Sequence, residues 1–292
     1  MTLFHDNGFD VRAINLAREE IDEDARIIIV NDPVYDFIGA EADDASANEI
    51  DKLDAFLDRF GCLYVFTSPD NAGRLSNLSE LLEEWGIAFT PDTYVRDPDH
   101  AISSDGLSVV AEYDKETLGS SIYKDLTDNL DTMPKTISRY TMPIDILWEE
   151  GGGLSGSRDV SPVITSYDTA AALKDGETVG HGKYNLMTIS RETRIIDNEY
   201  FYSYVIVSGS ANFANSNYIL SNAYANADIL SAAMRATGRD KILANIAYKV
   251  FDKTTLDITT AQSNDWSVAL VTVLPAIAAA AGLVVWVRRK HS

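Results

Sequence analysis

The sequence predicts an α/β protein: a doubly wound sheet domain, an α+β continuation and one C-terminal transmembrane helix. Three observations carry this expectation. In the first 90 residues short apolar runs alternate with amphipathic stretches in the order β, α, β, α, which suits helices packed on the faces of a mostly parallel sheet. From about Pro91 the pattern shifts toward strands. Finally, Trp266 to Val287 contains no charged side chain, and a helix of that length crosses a hydrocarbon core about 30 Å thick.

The elements follow in order. Phe9–Leu16 reads as a strand, and ARIIIV at Ala25–Val30 as a second one, apolar enough to be buried on both faces. Ser46 is placed to cap a helix whose Ile50, Leu53, Leu57 and Phe60 recur at spacings of three and four, with Gly61 ending it. CLYVF at Cys62–Phe66 is the next buried strand. Ser76 or Asn77 then opens a helix with Leu78, Leu81, Leu82 and Trp85 on one face and Gly86 as its stop. Beyond Pro91, strands are expected at Ser108–Tyr113, Ile144–Trp148, Pro162–Thr165, Asn185–Ser190 and Tyr202–Val207, with a flexible loop at Glu149–Gly156. A helix is expected from about Ser221 to Thr237, stopped by Gly238, and Lys253–Thr260 reads as a strand or extended linker. The resulting division is residues 1–100 and 101–255 as two parts of the folded body, 256–265 as a juxtamembrane linker, 266–287 as the span and 288–292 as a basic tail.

The chain carries a formal charge of -21, or -24 ahead of Arg288 once the three cations Arg288, Arg289 and Lys290 are set aside. Such a surface repels phosphate backbones and argues against nucleic-acid binding. Cys62 is the single cysteine and allows no internal disulfide, which fits a bacterial or archaeal surface better than a secreted animal protein. Trp266 and Trp286 flank the apolar run, and the cations that follow it mark its cytoplasmic end, so the large domain is expected outside. MTLFHDNGFDVRAINL lacks the basic and apolar blocks of a signal peptide. This leads to the expectation of a truncated or misassigned start, with further residues ahead of Met1; a tail-anchored cytoplasmic scaffold is the competing topology.

Ligands of doubly wound sheets bind at the carboxyl ends of the strands. Here those ends carry Asn31, Asp32 and Asp36 after the first buried strand, and Thr67, Ser68, Asp70 and Asn71 after the second. They read either as a polar pocket built from both loops, with Asn31, Asp32, Ser68, Asp70 and Asn71 as its candidates, or as ordinary turn formers. A nucleophile elbow of the G-x-S-x-G type is missing. Gly180-His181-Gly182-Lys183-Tyr184 resembles a P-loop only superficially, because Glu177 and Tyr184 stand where glycine and a magnesium-binding hydroxyl are needed. The four histidines lack metal-ligand spacing, and no cofactor is expected. Within the apolar run, Ala278 and Gly282 supply small-xxx-small spacing and are the candidate face for packing against another membrane helix.

Several segments together resemble the extracytoplasmic auxiliary subunit of GldG-type ABC transport systems, named for the gliding-motility member. They are Val205–Ile219 (VIVSGSANFANSNYI), Ala225–Thr237, Leu256–Trp266 and the closing VVWVRRKH, with NDPVYDF and CLYVFTSPDN in the front half. The resemblance implies a glutamine-amidotransferase-like body without that fold's catalytic cysteine elbow. It also implies a non-catalytic, membrane-anchored accessory subunit that works with a separate permease and a separate cytoplasmic ATPase. The family's N-terminal membrane helix is missing from this sequence. The rival expectation is a membrane-tethered hydrolase using Ser68, Asp32 or Asp70.

Overall fold

The computed structural model describes residues 2–39, 48–129, 134–148, 152, 157–239 and 259–290. The front of the chain forms helix α1 (Thr2–Asp6), strand β1 (Ile27–Asn31), α2 (Glu49–Asp58), β2 (Cys62–Phe66), α3 (Pro69–Ala72), α4 (Ser76–Glu84), β3 (Ile87–Phe89) and β4 (Thr93–Arg96). Every residue of β2 is buried, as an uninterrupted apolar run at the centre of a sheet requires. β1 lies parallel to it, from Ile27 opposite Cys62 to Asn31 opposite Phe66. Asn48 caps α2, its side-chain oxygen accepting from the Asp51 amide at 3.0 Å, while Ser46 lies outside the described residues. Phe60, not Gly61, takes the left-handed conformation after α2, with φ at 63°. Gly61 is needed for space instead: a Cβ there would overlap the Phe56 ring. α4 matches expectation, with Leu78, Leu81 and Leu82 buried and Gly86 at φ 77° beyond it.

Phe9–Leu16 is not a strand. Its backbone turns at Asn15, whose carbonyl accepts from the amides of Arg18 and Glu19 and whose side chain accepts from Ala17. Arg12 points outward to Glu19 and Asp22, so the alternation needed to bury one face is broken. The segment contributes Leu16 to the core, followed by Ile21. Ahead of it, Phe4 of α1 packs edge-on against Tyr64, with ring centroids 5.9 Å apart.

The second half adds β5 (Ser108–Val110), β6 (Glu112–Tyr113), α5 (Ser120–Asn129), β7 (Ile137–Arg139), β8 (Ile144–Ile146), β9 (Arg158–Thr165), β10 (Ala171–Lys174), β11 (Glu177–His181), β12 (Asn185–Ile196) and β13 (Glu199–Ser208). Short helices α6 (Ser216–Ile219) and α7 (Asn226–Ala236) follow. The expected strand Ser108–Tyr113 is two strands, β5 pairing with β7 and β6 pairing with β9. The expected loop Glu149–Gly156 falls outside the described residues except Gly152. α7 starts five residues later than expected, at Asn226. That side chain is buried and bonds back to both polar groups of the Ile137 backbone, accepting at 3.0 Å and donating at 2.8 Å.

The main sheet is mixed rather than all parallel. Its order is β1-β2-β13-β12-β8-β3, with β9 beside β12 and β6 beside β9. β13 lies parallel to β2, so three strands run together, and β12 then returns antiparallel. The β12–β13 turn is Asp197-Asn198, both at positive φ, the conformation of a two-residue hairpin whose twist matches its strands. Helices cover both faces. Leu53, Phe56 and Leu57 of α2 and Leu78, Leu81 and Leu82 of α4 meet Leu63, Val65, Val205 and Val207 on one side. Ile122 and Leu126 of α5 and Ile229, Leu230 and Ala233 of α7 meet Tyr64, Phe66 and Ile206 on the other.

The C-terminal helix begins at Thr260, inside the stretch expected as a linker, and α8 (Thr260–Val268) and α9 (Leu274–Lys290) form one continuous rod. Thr259 and Gln262 make a capping box at its start. Ala269–Val273 is a π-helical turn two residues ahead of Pro275, a place where a missing backbone donor is absorbed. Among the described residues this is the one helix long and apolar enough to cross a membrane. Within its Ala261–Leu283 stretch the most apolar 18 residues have a mean hydropathy of 1.9, and none of that window is buried. Gly282 has open space around it; the side chain of Ala278 lies outside what is described.

Candidate functional site

The carboxyl ends of the parallel strands open into a cavity of about 530 Å³. Asp32 directly follows β1 in the left-handed conformation, with φ at 48°. That geometry turns its carboxylate across to β2, where Oδ1 accepts from the Ser68 amide at 2.9 Å and from the Ser68 hydroxyl at 2.7 Å. Ser68 precedes α3 and makes no side-chain cap to it, because its hydroxyl is committed to Asp32. Asp70 and Asn71 are in α3 and also line the cavity.

The opposite wall comes from remote parts of the chain. Tyr94 on β4 donates its hydroxyl to Asp70. Tyr140, just after β7, lies on the same wall with Leu107, and Asn212 enters from the 3-10 turn Ala211–Ala214 after β13. Tyr140 has φ at 48°, a conformation disfavoured for an aromatic residue. It is held there by its amide donating to the Leu107 carbonyl at 3.0 Å and by Arg139, whose guanidinium donates to the Tyr140 hydroxyl at 2.8 Å. Two residues of one cavity in strained backbone conformations mark it as a constrained site.

Four of the five sequence candidates therefore meet: Asp32, Ser68, Asp70 and Asn71. Asn31 does not line the cavity; it ends β1 in register with Phe66 and faces solvent. Thr67 is fully buried beneath the strand end, its amide donating to the Ser208 carbonyl at 3.2 Å. Asp36 has a structural duty at the start of α4. It accepts from the Ser76 hydroxyl at 2.9 Å and the Asn77 amide at 2.8 Å, acting as the cap that Leu75 has no side chain to provide. Tyr94, Tyr140 and Asn212 carried no local signal, because they reach the site only through the fold.

The lining holds two carboxylates, Asp32 and Asp70, and no lysine or arginine. Burial, and then the hydrogen bond to Asp70, push the Tyr94 phenol up to about 12, so it is a neutral donor at ordinary pH. Carboxylate acceptors, an amide from each of Asn71 and Asn212 and two tyrosine rings suit a polar, hydroxyl-bearing or cationic ligand. Cys62 takes no part: it is fully buried, and burial raises its thiol to about 12. Among the described residues no group of three or more His, Cys, Asp or Glu side chains could hold a metal ion. No family model matches the chain, and neither the curated proteins nor the solved structures contain a match to it.

Proposed function

We propose that the chain is a membrane-anchored accessory subunit of an ABC transporter, with a glutamine-amidotransferase-like body that recognises a ligand or partner and does not itself turn over ATP. The observation that carries this reading is the C-terminal helix. Large apolar side chains along it are exposed: Trp266 is 64% exposed, Val271 74% and Ile277 60%. Water does not tolerate so long an apolar rod, whereas a bilayer does. Arg288 and Arg289 close it, which directs that end to the cytoplasm and the body outward.

The resemblance to the GldG-type subunit supports the division of labour with a permease and an ATPase. The strand-end cavity supports recognition over turnover. Ser68 donates to Asp32, and the cavity lining pairs it with no imidazole that could take its proton.

Crosslinking the chain in intact cells, followed by identification of its adducts, tests the reading. A multi-spanning permease is the expected adduct, and purified protein is expected to hydrolyse no ATP. Adducts drawn only from soluble proteins would overturn the assignment. Protease added to intact cells is expected to cleave the body; protection until lysis would place it in the cytoplasm. An activity lost on Ser68→Ala would favour the tethered hydrolase.

A further inference from the structure

We propose that a second cavity, between β6, the end of β9 and α5, holds the headgroup of a zwitterionic membrane phospholipid; this rests on reading the C-terminal helix from Trp266 onward as a membrane span. The cavity measures about 620 Å³ and is lined by Tyr113, Tyr123 and Tyr167 together with Lys115, Lys135 and Lys183. Three lysines share the opening with Glu112, Asp114 and Glu116, so the lining presents both signs of charge side by side.

Its position relates it to the bilayer. Lys135 lines the cavity and its Nζ donates to the Gln262 side chain, 3.4 Å away, in the first turn of the C-terminal helix. Thr259, just before that helix, is buried. Gln262 stands four residues ahead of Trp266, about 6 Å along the axis at about 1.5 Å per residue. The headgroup layer on each side of a hydrocarbon core is about 5–8 Å thick. The cavity wall therefore lies at headgroup depth, where tyrosine rings and lysine side chains are favoured.

The lining also selects among headgroups. Lys183 is paired with Glu112 at 2.8 Å, and Asp114 and Glu116 share the opening, so a ligand carrying both phosphate and ammonium suits the charges better than a purely anionic one. Lys115 lies 5.2 Å from the Tyr123 centroid, which shows that this ring face accepts a cation. Tyr167 is braced by stacking on His100, with centroids 3.9 Å apart, and His100 is in turn set by the buried carboxylate of Asp97 at 3.2 Å. Thr165 is buried at the same lining, and its hydroxyl has no hydrogen-bond partner among the described residues.

The test uses the full chain in detergent, incubated separately with phosphatidylethanolamine, phosphatidylglycerol and glycerophosphoethanolamine, with bound ligand read by native mass spectrometry. Phosphatidylethanolamine is expected to be retained best. Lys115→Gln with Lys183→Gln is expected to cut that retention tenfold or more, while Lys124→Gln, exposed on α5 outside the lining, leaves it unchanged. Thermal melts of each variant separate lost binding from lost folding. Equal retention by the double variant and the parent would overturn the proposal. Preference for phosphatidylglycerol would overturn the zwitterionic assignment, and equal capture of glycerophosphoethanolamine would make the ligand a free phosphodiester. Release of the chain from membranes by alkaline carbonate would instead sink the anchor reading, a separable failure.

Discussion

Strand β2 and the C-terminal helix are both runs of apolar residues, yet they meet opposite environments. All five residues of β2 are buried between two layers of helices, whereas from Trp266 to Ile277 every side chain is exposed except the half-buried Ala269. Length and period explain the difference. A five-residue run fits between neighbouring strands and needs only the facing side chains of α2, α4 and α7 to exclude water. The C-terminal run is apolar all round and several times longer, so no single sheet face can cover it. Among the described residues it is the one helix long and apolar enough to cross a membrane.

That contrast can be broken most directly at its buried end. Leu63 is fully buried in β2, and Leu63→Ala is expected to lower the stability of the body by about 2–5 kcal/mol. Leu274→Ala, in the exposed rod, should leave the same denaturation curve unmoved; a comparable loss would mean that the helix packs on the body. The rod has its own sensitivity. Ile277→Asp places a charge near the middle of the apolar stretch and is expected to disfavour insertion by about 3 kcal/mol, read as the fraction of chain recovered in carbonate-washed membranes.

The polar ends of the buried strands sharpen the comparison on a smaller scale. Asp36→Ala removes the carboxylate that caps α4 and is expected to cost about 1–2 kcal/mol in urea unfolding. The same loss would be absent if Asp36 served a ligand instead. Tyr94 offers a subtler probe. Its phenol is raised to about 12 by burial and by Asp70, while the unfolded phenol titrates near 10. The folded state therefore keeps its proton longer, and the stabilisation is complete below about pH 10 and lost as pH rises toward 12. Asp70→Asn should move the ultraviolet titration of this tyrosine downward; an unchanged midpoint would show that burial acts alone.

Much of this architecture was legible because it is local. The buried strand Cys62–Phe66, the helix with Leu78, Leu81 and Leu82, and the stops at Gly86 and Gly238 each depend on neighbours within a few residues; Ala25–Val30 was expected to be buried on both faces, but its strand Ile27–Asn31 takes the sheet edge and buries only Val30. Phe9–Leu16 misled because its apolar residues are too sparse to cover a face once Arg12 turns to Glu19 and Asp22. Gly61 misled for a different reason: it looked like a helix stop but is kept small by the Phe56 ring. At the strand-end cavity, Asp32, Ser68, Asp70 and Asn71 could be named because strand ends are where such sheets bind ligands. Tyr94, Tyr140 and Asn212 could not, since nothing local links residues so far apart.

The apolar C-terminal rod, the acidic charge and the existence of the two front strands were determined by the sequence alone, since each follows from composition or period over a short window; that β1 is a half-buried edge strand was not. The tertiary structure decided where β13 goes. By lying parallel to β2 and hairpinned to β12, it turned an expected parallel sheet into a mixed one. Long-range pairing also decided what stands opposite Asp32 and what stands beside the base of the rod. Strand partners are chosen by the free energy of the whole packed core, and no short stretch of chain contains that information.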